Sequence, residues 1–250
     1  MKAWLENTIT AYVRDFESRP DIASRWKEPL YAYADAKDPL FEFFKEVVSP
    51  THCMPQDFIP DAATVITYFL PFEASIVYSN VSGRLSSEVW GQAYIETNTL
   101  IGEINAHVSE VLAEKGYVST KMPATHNFDE ERLMSDWSHR HAAYAAGLGT
   151  FGLNNMLITE AGCAGRIGSI ITNLSLPATP RQALERCAYK RDGSCGVCVS
   201  ACVHNALFFD HFDRHRCYEM CLENASHLKH LGVADVCGKC VAGMPCAFKG

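Results

Sequence analysis

Nine of the eleven cysteines in this 250-residue chain lie between Cys187 and Cys246. Thiols at that density leave few solutions for the tail: metal cross-links, disulfides or reactive groups. The N-terminus, MKAWLENTITAYVRDF, has neither a basic start nor an apolar run of about 7–15 residues, so it does not read as a secretory signal. A reducing cytoplasm is the expected compartment, and there dense cysteines hold metal more often than they form disulfides. Residues 183–250 are also too few to build a large apolar core, so metal is expected to supply much of their stability.

The spacings sharpen this. The first run is Cys187-x7-Cys195-x2-Cys198-x3-Cys202, and the second is Cys217-x3-Cys221 followed by Cys237-x2-Cys240-x5-Cys246. A cubane of iron and sulfide needs four thiolates, and two-cluster ferredoxins take three from one loop and the fourth from the other motif. Cys195, Cys198 and Cys202 match the last three positions of C-x2-C-x2-C-x3-C-P, with Asp192 at the first position and Val203 at the proline. Cys187 can stand in for the missing ligand if the intervening loop folds back. Interleaving assigns one [4Fe-4S] cluster to Cys187, Cys195, Cys198 and Cys246. The other falls to Cys202, Cys217, Cys237 and Cys240. Cys221 can exchange with Cys217, because a four-residue step puts both on one helix face. Structural zinc on the same pairs is the alternative.

Upstream, the chain is expected to be an α+β domain over residues 1–182, with a boundary after the SLPATP stretch and a small domain over 183–250. Helices are expected at Trp4–Phe16, Pro39–Val48, Ser87–Lys115 and Asp136–Ala146. Strands are expected at Ala63–Phe72, Tyr117–Met122, Met156–Thr159 and Arg166–Leu176. With 48% hydrophobic and 20% charged residues the chain is an ordinary globular one. No run of about 18 apolar residues occurs, so no membrane span is expected. Residues 1–182 carry 14 basic and 22 acidic side chains, and the tail carries 8 and 7, so neither part has the positive balance that nucleic acid binding favours.

Gly147, Gly149 and Gly152 fit G-x-G-x-x-G, but an Ala-rich helical stretch precedes them and no acid lies between residues 161 and 184, so the dinucleotide reading fails. Two readings stay open: a helix C-cap with a turn, or a close backbone approach to a flat ligand. Asp213-x-His215 lacks the glycine of a cobalt-ligating Asp-x-His-x-x-Gly pattern, since Tyr218 stands there.

The combination of ATVITYFLPF, HAAYAAGLGTFGLNNMLIT, TNLSLP and the cysteine tail resembles the epoxyqueuosine reductase family and its shorter relatives, over roughly residues 60–250. The resemblance implies a nitroreductase-like, corrinoid-binding α+β domain followed by a bacterial ferredoxin-like domain with two [4Fe-4S] clusters. It also implies base-off cobalamin, with Gly147, Gly149 and Gly152 against the corrin ring. Family members usually carry a further helical-repeat region that helps to hold tRNA. As a short form without it, this chain is expected to take a small organic substrate rather than nucleic acid, and electrons from a low-potential donor. Asp136 is the nearest match to the family's catalytic aspartate, with His139 as a further proton donor and His141 and Tyr144 behind it. The bland readings are an N-cap for Asp136 and a solvated or core-edge helix face for the histidines. The expected function is an iron–sulfur, cobalamin-dependent reductase. A non-catalytic electron-transfer activator and a zinc-stabilised binding module are the alternatives.

Overall fold

A computed structural model describes every residue except Gln182, which is where the expected domain boundary falls. In chain order the elements are α1 (Lys2–Glu17), β1 (Leu30–Asp35), α2 (Leu40–Val47), α3 (Pro55–Phe58), β2 (Thr64–Pro71), α4 (Ala74–Ser79), α5 (Glu88–Ala113), β3 (His126–Asp129) and β4 (Met134–Trp137). There follow α6 (His139–Ala145), β5 (Thr150–Phe151), β6 (Leu157–Ile158), β7 (Gly165–Thr172), α7 (Ala188–Asp192), α8 (Val197–Ser200) and α9 (Arg214–His227).

The centre is a three-stranded antiparallel sheet in the order β1-β2-β7, with Ile66 opposite both Tyr33 and Ile170. Every residue of β2 is buried, so both of its faces pack and its apolar run is continuous rather than alternating. Ile66, Tyr68 and Leu70 face one core, with Leu5, Ile9, Val13 and Phe16 of α1 and Leu100, Ile104 and Val108 of α5. Val65 and Phe69 face the other, with Phe41 and Phe44 of α2, Trp137, and the alanines of α6. The apolar steps of three and four residues in α1 and α5 place these side chains on one stripe. Ser87 Oγ caps α5 by accepting from Trp90 N at 3.1 Å, and Gly116 ends the stretch at φ +82°.

Two expectations are corrected, and one strand appears that none anticipated. Tyr117–Met122 makes only an isolated bridge, Ser119 to Thr172, because the chain turns away at Pro123 and Asn105 Nδ2 takes the Met122 carbonyl at 2.6 Å. The helix expected from Asp136 begins at His139 instead. Ser138 is its cap, and Asp136 lies in β4, whose Trp137 pairs with His126 and is buried in the second core. Strand β1 had no clear sequence signal; its alanines read as indifferent to strand or helix.

The cysteine tail is bound tightly to the rest. Ser86 Oγ donates to the Cys237 carbonyl and Asn80 Nδ2 does the same at 2.8 Å. Ser86 N reaches Asn224 Oδ1 at 2.8 Å, and the N–H groups of Cys163 and Ala164 donate to the Cys246 and Ala247 carbonyls. Gly91 of α5 leaves room for Leu228 and Ala234 of the tail.

Candidate metal centre

The tail folds its thiols into two neighbourhoods. The Cys198 thiol is pushed up to about 11, first by burial and then by Cys246, Cys187 and Cys195. Those three are the partners expected for it from spacing. Burial also raises Cys240, followed by the charges of Cys237, Cys217, Cys202 and Cys198, and raises Cys237, followed by Cys217 and Cys202. The short α8 turn carries the chain from Cys195 to Cys202, whose sulfur accepts from Ala206 N at 3.2 Å. Cys217 and Cys221 share a face of α9. A hydrogen bond from Cys221 is the first cause of the fall of Cys217 to about 7, and the same contact raises Cys221.

Cys202, Cys217, Cys221, Cys237 and Cys240 line one cavity of about 340 Å³. Its wall is completed by Phe72, Trp90, Tyr94, Asn154, Cys163 and Arg166. Two observations bear on whether this cavity suits a sulfur-rich cluster. The Trp90 indole N–H is buried and has no acceptor among the described residues. Gly238, within Cys237-Gly-Lys-Cys240, sits at φ +73°, where a side chain would be strained and would strike the Trp90 ring. A donor without a partner beside a ring of thiols fits a thiolate or sulfide acceptor. Cys163, assigned no role by spacing, is buried with its sulfur 3.8 Å from Cys246, and its hydrogen bond lowers Cys246 to about 7. Among the described residues, no group of three or more His, Cys, Asp or Glu side chains is arranged to hold a single metal ion.

Neither proposed proton donor lines this cavity. Asp136 accepts from Thr51 Oγ1 at 2.8 Å and from Asn127 Nδ2 at 3.3 Å, half-exposed beside the 49–54 loop. His139 is turned inward. Trp137 Nε1 donates to Ser169 Oγ at 2.9 Å, and that hydroxyl lies 2.7 Å from His139 Nδ1. The hydroxyl therefore gives its own proton to Nδ1, and Nε2–H donates to the Pro123 carbonyl at 2.9 Å. Burial holds this imidazole neutral, with its pKa lowered to about 4. His139 is a satisfied core histidine with no proton to offer a substrate, and the catalytic expectation for it is withdrawn. His141 is likewise lowered to about 3 by burial, wedged against Phe44 and Phe151.

The three glycines serve the chain's own packing. Gly147 takes φ +80° directly after α6, and a Cβ there would meet Arg181 at 3.2 Å. At Gly149 a Cβ would strike the Ile158 carbonyl group, and at Gly152 it would lie 2.7 Å from Asn154 Oδ1. A cavity of about 410 Å³ does adjoin Gly147 and Gly149, with Tyr144, Thr150, Arg181 and Glu185. The glycines close a helix and a hairpin, and Gly147 and Gly149 also border this cavity.

No protein-family model matches the chain, and no curated protein matches it. Solved structures do. A selenomethionine-labelled epoxyqueuosine reductase matches with a TM-score of 0.61 at 16% identity, over 98% of this chain and 66% of its own. An epoxyqueuosine reductase bound to an epoxyqueuosine-modified tRNA-Tyr stem loop matches with a TM-score of 0.62 at 18% identity, again over 98% and 66%. The Bacillus subtilis epoxyqueuosine reductase, solved with its catalytic aspartate loop swung out of the active site, matches at 0.61 and 18% over the same shares. The chain has the fold of the epoxyqueuosine reductases. It spans just under two thirds of their length.

This reductase fold removes one argument made from composition. One of these neighbours was solved with a tRNA stem loop; local patches rather than overall charge decide phosphate binding. The sequence reading also missed the cavity wall. Trp90 is one apolar residue of a long helical stretch, and nothing local in the sequence says that it borders the cysteines.

Proposed function

We propose that this chain is an iron–sulfur oxidoreductase of the epoxyqueuosine reductase type, its nitroreductase-like body carrying a ferredoxin-like tail with two [4Fe-4S] clusters. Cys187, Cys195, Cys198 and Cys246 would hold one cluster, and Cys202, Cys217, Cys237 and Cys240 the other. The observation that supports this best is the convergence of six thiols, Cys163 among them, on one cavity under an indole N–H with no other acceptor among the described residues. Bound clusters supply single electrons at low potential.

The chain's own residues supply the setting. The thiolates are negative, and Arg140 and Arg166 bring positive charge nearby, Arg140 through its interaction with Cys217 and Cys240 and Arg166 on the cavity wall. Tyr94 stacks under the Arg166 guanidinium at 4.4 Å, and Asn98 Oδ1 accepts from it at 2.6 Å, which fixes that charge on the cavity wall. Asp136 is the proton-donor candidate, oriented by Thr51 and Asn127 on the edge strand β4. Conversion of an epoxide to an alkene takes up two electrons and two protons and releases one water, so a positioned acid and an electron source are both required. The substrate class proposed is an oxygenated nucleoside, free or within tRNA. None of these residue roles depends on a corrinoid.

The test is anaerobic reconstitution with iron and sulfide, followed by metal counting. On the order of eight irons and eight sulfides per chain are expected for two cubanes, falling by half in Cys198→Ala. Reduced protein should then shorten an epoxyqueuosine nucleoside or stem loop by one oxygen in mass. Zinc without sulfide in the purified protein overturns the reading. A second reading, an electron-transfer activator with no substrate of its own, is favoured by the absence of both Asp136 and His139 from the lining of the cysteine cavity. It predicts full cluster content, no turnover, and no effect of Asp136→Asn on electron transfer to a redox dye.

A further inference from the structure

Trp90 is the third residue of α5, held in place from both ends. Its backbone N–H is bonded to the Ser87 cap, and its ring packs edge-on against Phe72 at 5.4 Å. The side chain is 5% exposed, and Nε1 has no hydrogen-bond partner among the described residues. A buried N–H left unpaired costs about 1–3 kcal/mol, so a donor held this firmly calls for an acceptor.

The protein acceptors around it are already taken. The Cys237 carbonyl receives Ser86 Oγ and Asn80 Nδ2, and the Cys240 carbonyl receives Asn154 Nδ2 at 2.8 Å. Lys239 Nζ donates to the Asn80 and Ser82 carbonyls. Asp235 also lines the cavity, but the Trp90 N–H makes no hydrogen bond to it. The indole shares the cavity wall with six cysteines. Gly238 makes the approach feasible, since a Cβ there would sit 2.5 Å from Nε1 and wedge the ring away from the Cys237–Cys240 turn.

We infer that the Trp90 indole N–H donates a hydrogen bond to a sulfur of the cluster held by Cys202, Cys217, Cys237 and Cys240, and so sets that cluster's potential. The inference rests on the iron–sulfur reading above. A donor to cluster sulfur stabilises the reduced state, which carries one more negative charge, and raises the potential. Trp90 is thus a tuning residue that neither ligates iron nor meets substrate.

The test compares reconstituted wild-type protein with Trp90→Phe, which keeps a ring and deletes the N–H. The variant is expected to hold wild-type amounts of iron and sulfide, with the midpoint potential of one cluster shifted negative and the other unmoved. Trp26→Phe, whose indole bonds Thr97 Oγ1 at 3.1 Å elsewhere in the core, should leave both potentials in place. Equal potentials in wild type and Trp90→Phe at full cluster content overturn the inference. Should the variant fail to fold, wild-type protein labelled with indole-15N tryptophan answers alone. Pulsed EPR of the reduced protein is expected to show a 15N coupling to one cluster, and its absence overturns the assignment. Failure of the iron–sulfur reading itself shows earlier and separately, as wild-type protein that takes up no sulfide.

Discussion

His139 gives the most quantitative test, because its burial has a calculable consequence for stability. In the unfolded chain an imidazole titrates near 6.5, and in the fold burial lowers it to about 4. Between those values the unfolded state binds a proton that the folded state refuses. Stability is therefore level above about pH 6.5, falls as pH drops below it, and stops falling below about pH 4. The full difference of some 2.5 units corresponds to about 3 kcal/mol, of which about 2 kcal/mol is already lost at pH 5. His139→Gln removes the titrating group. His52 and His141, both lowered by burial, act in the same direction but are present in both proteins, so the comparison isolates His139. Urea unfolding under reducing, anaerobic conditions at pH 7.5, 6 and 5 is the assay. The wild type should lose about 2 kcal/mol more than the variant between pH 7.5 and pH 5. Parallel losses in the two proteins would show that His139 is solvated in the fold and would refute the core role assigned to it.

Two further substitutions test the same region. Ser169→Ala strands the Trp137 and His139 nitrogens that share its hydroxyl, and should cost about 2–3 kcal/mol in unfolding free energy while leaving cluster content unchanged. Gly149→Ala places a methyl against the backbone of Ile158; a loss of about 1–3 kcal/mol should appear as a fall of roughly 2–12 °C in the thermal midpoint, and an unaltered midpoint would mean that the β5–β6 hairpin yields freely.

What the chain declared by itself was whatever depends on near neighbours. The steps of three and four in α1 and α5, the unbroken apolar run of β2, and the grouping of thiols by Cys-x2-Cys and Cys-x3-Cys spacing are local patterns, and the fold keeps each of them. Cys187, across its seven-residue gap, lies near enough to Cys198 to act on its charge. Tertiary structure decided the rest, because those properties arise between segments far apart in sequence. Asp136 left its expected helix when Trp137 was drawn into a core built by α2 and α6. His139 became inert through Ser169 and Pro123, thirty and sixteen residues away. Gly149 owes its identity to Ile158, and Trp90 owes its unpaired donor to a turn some 150 residues downstream. A side chain's chemistry follows from the solvent and partners left to it, and only the folded chain fixes those.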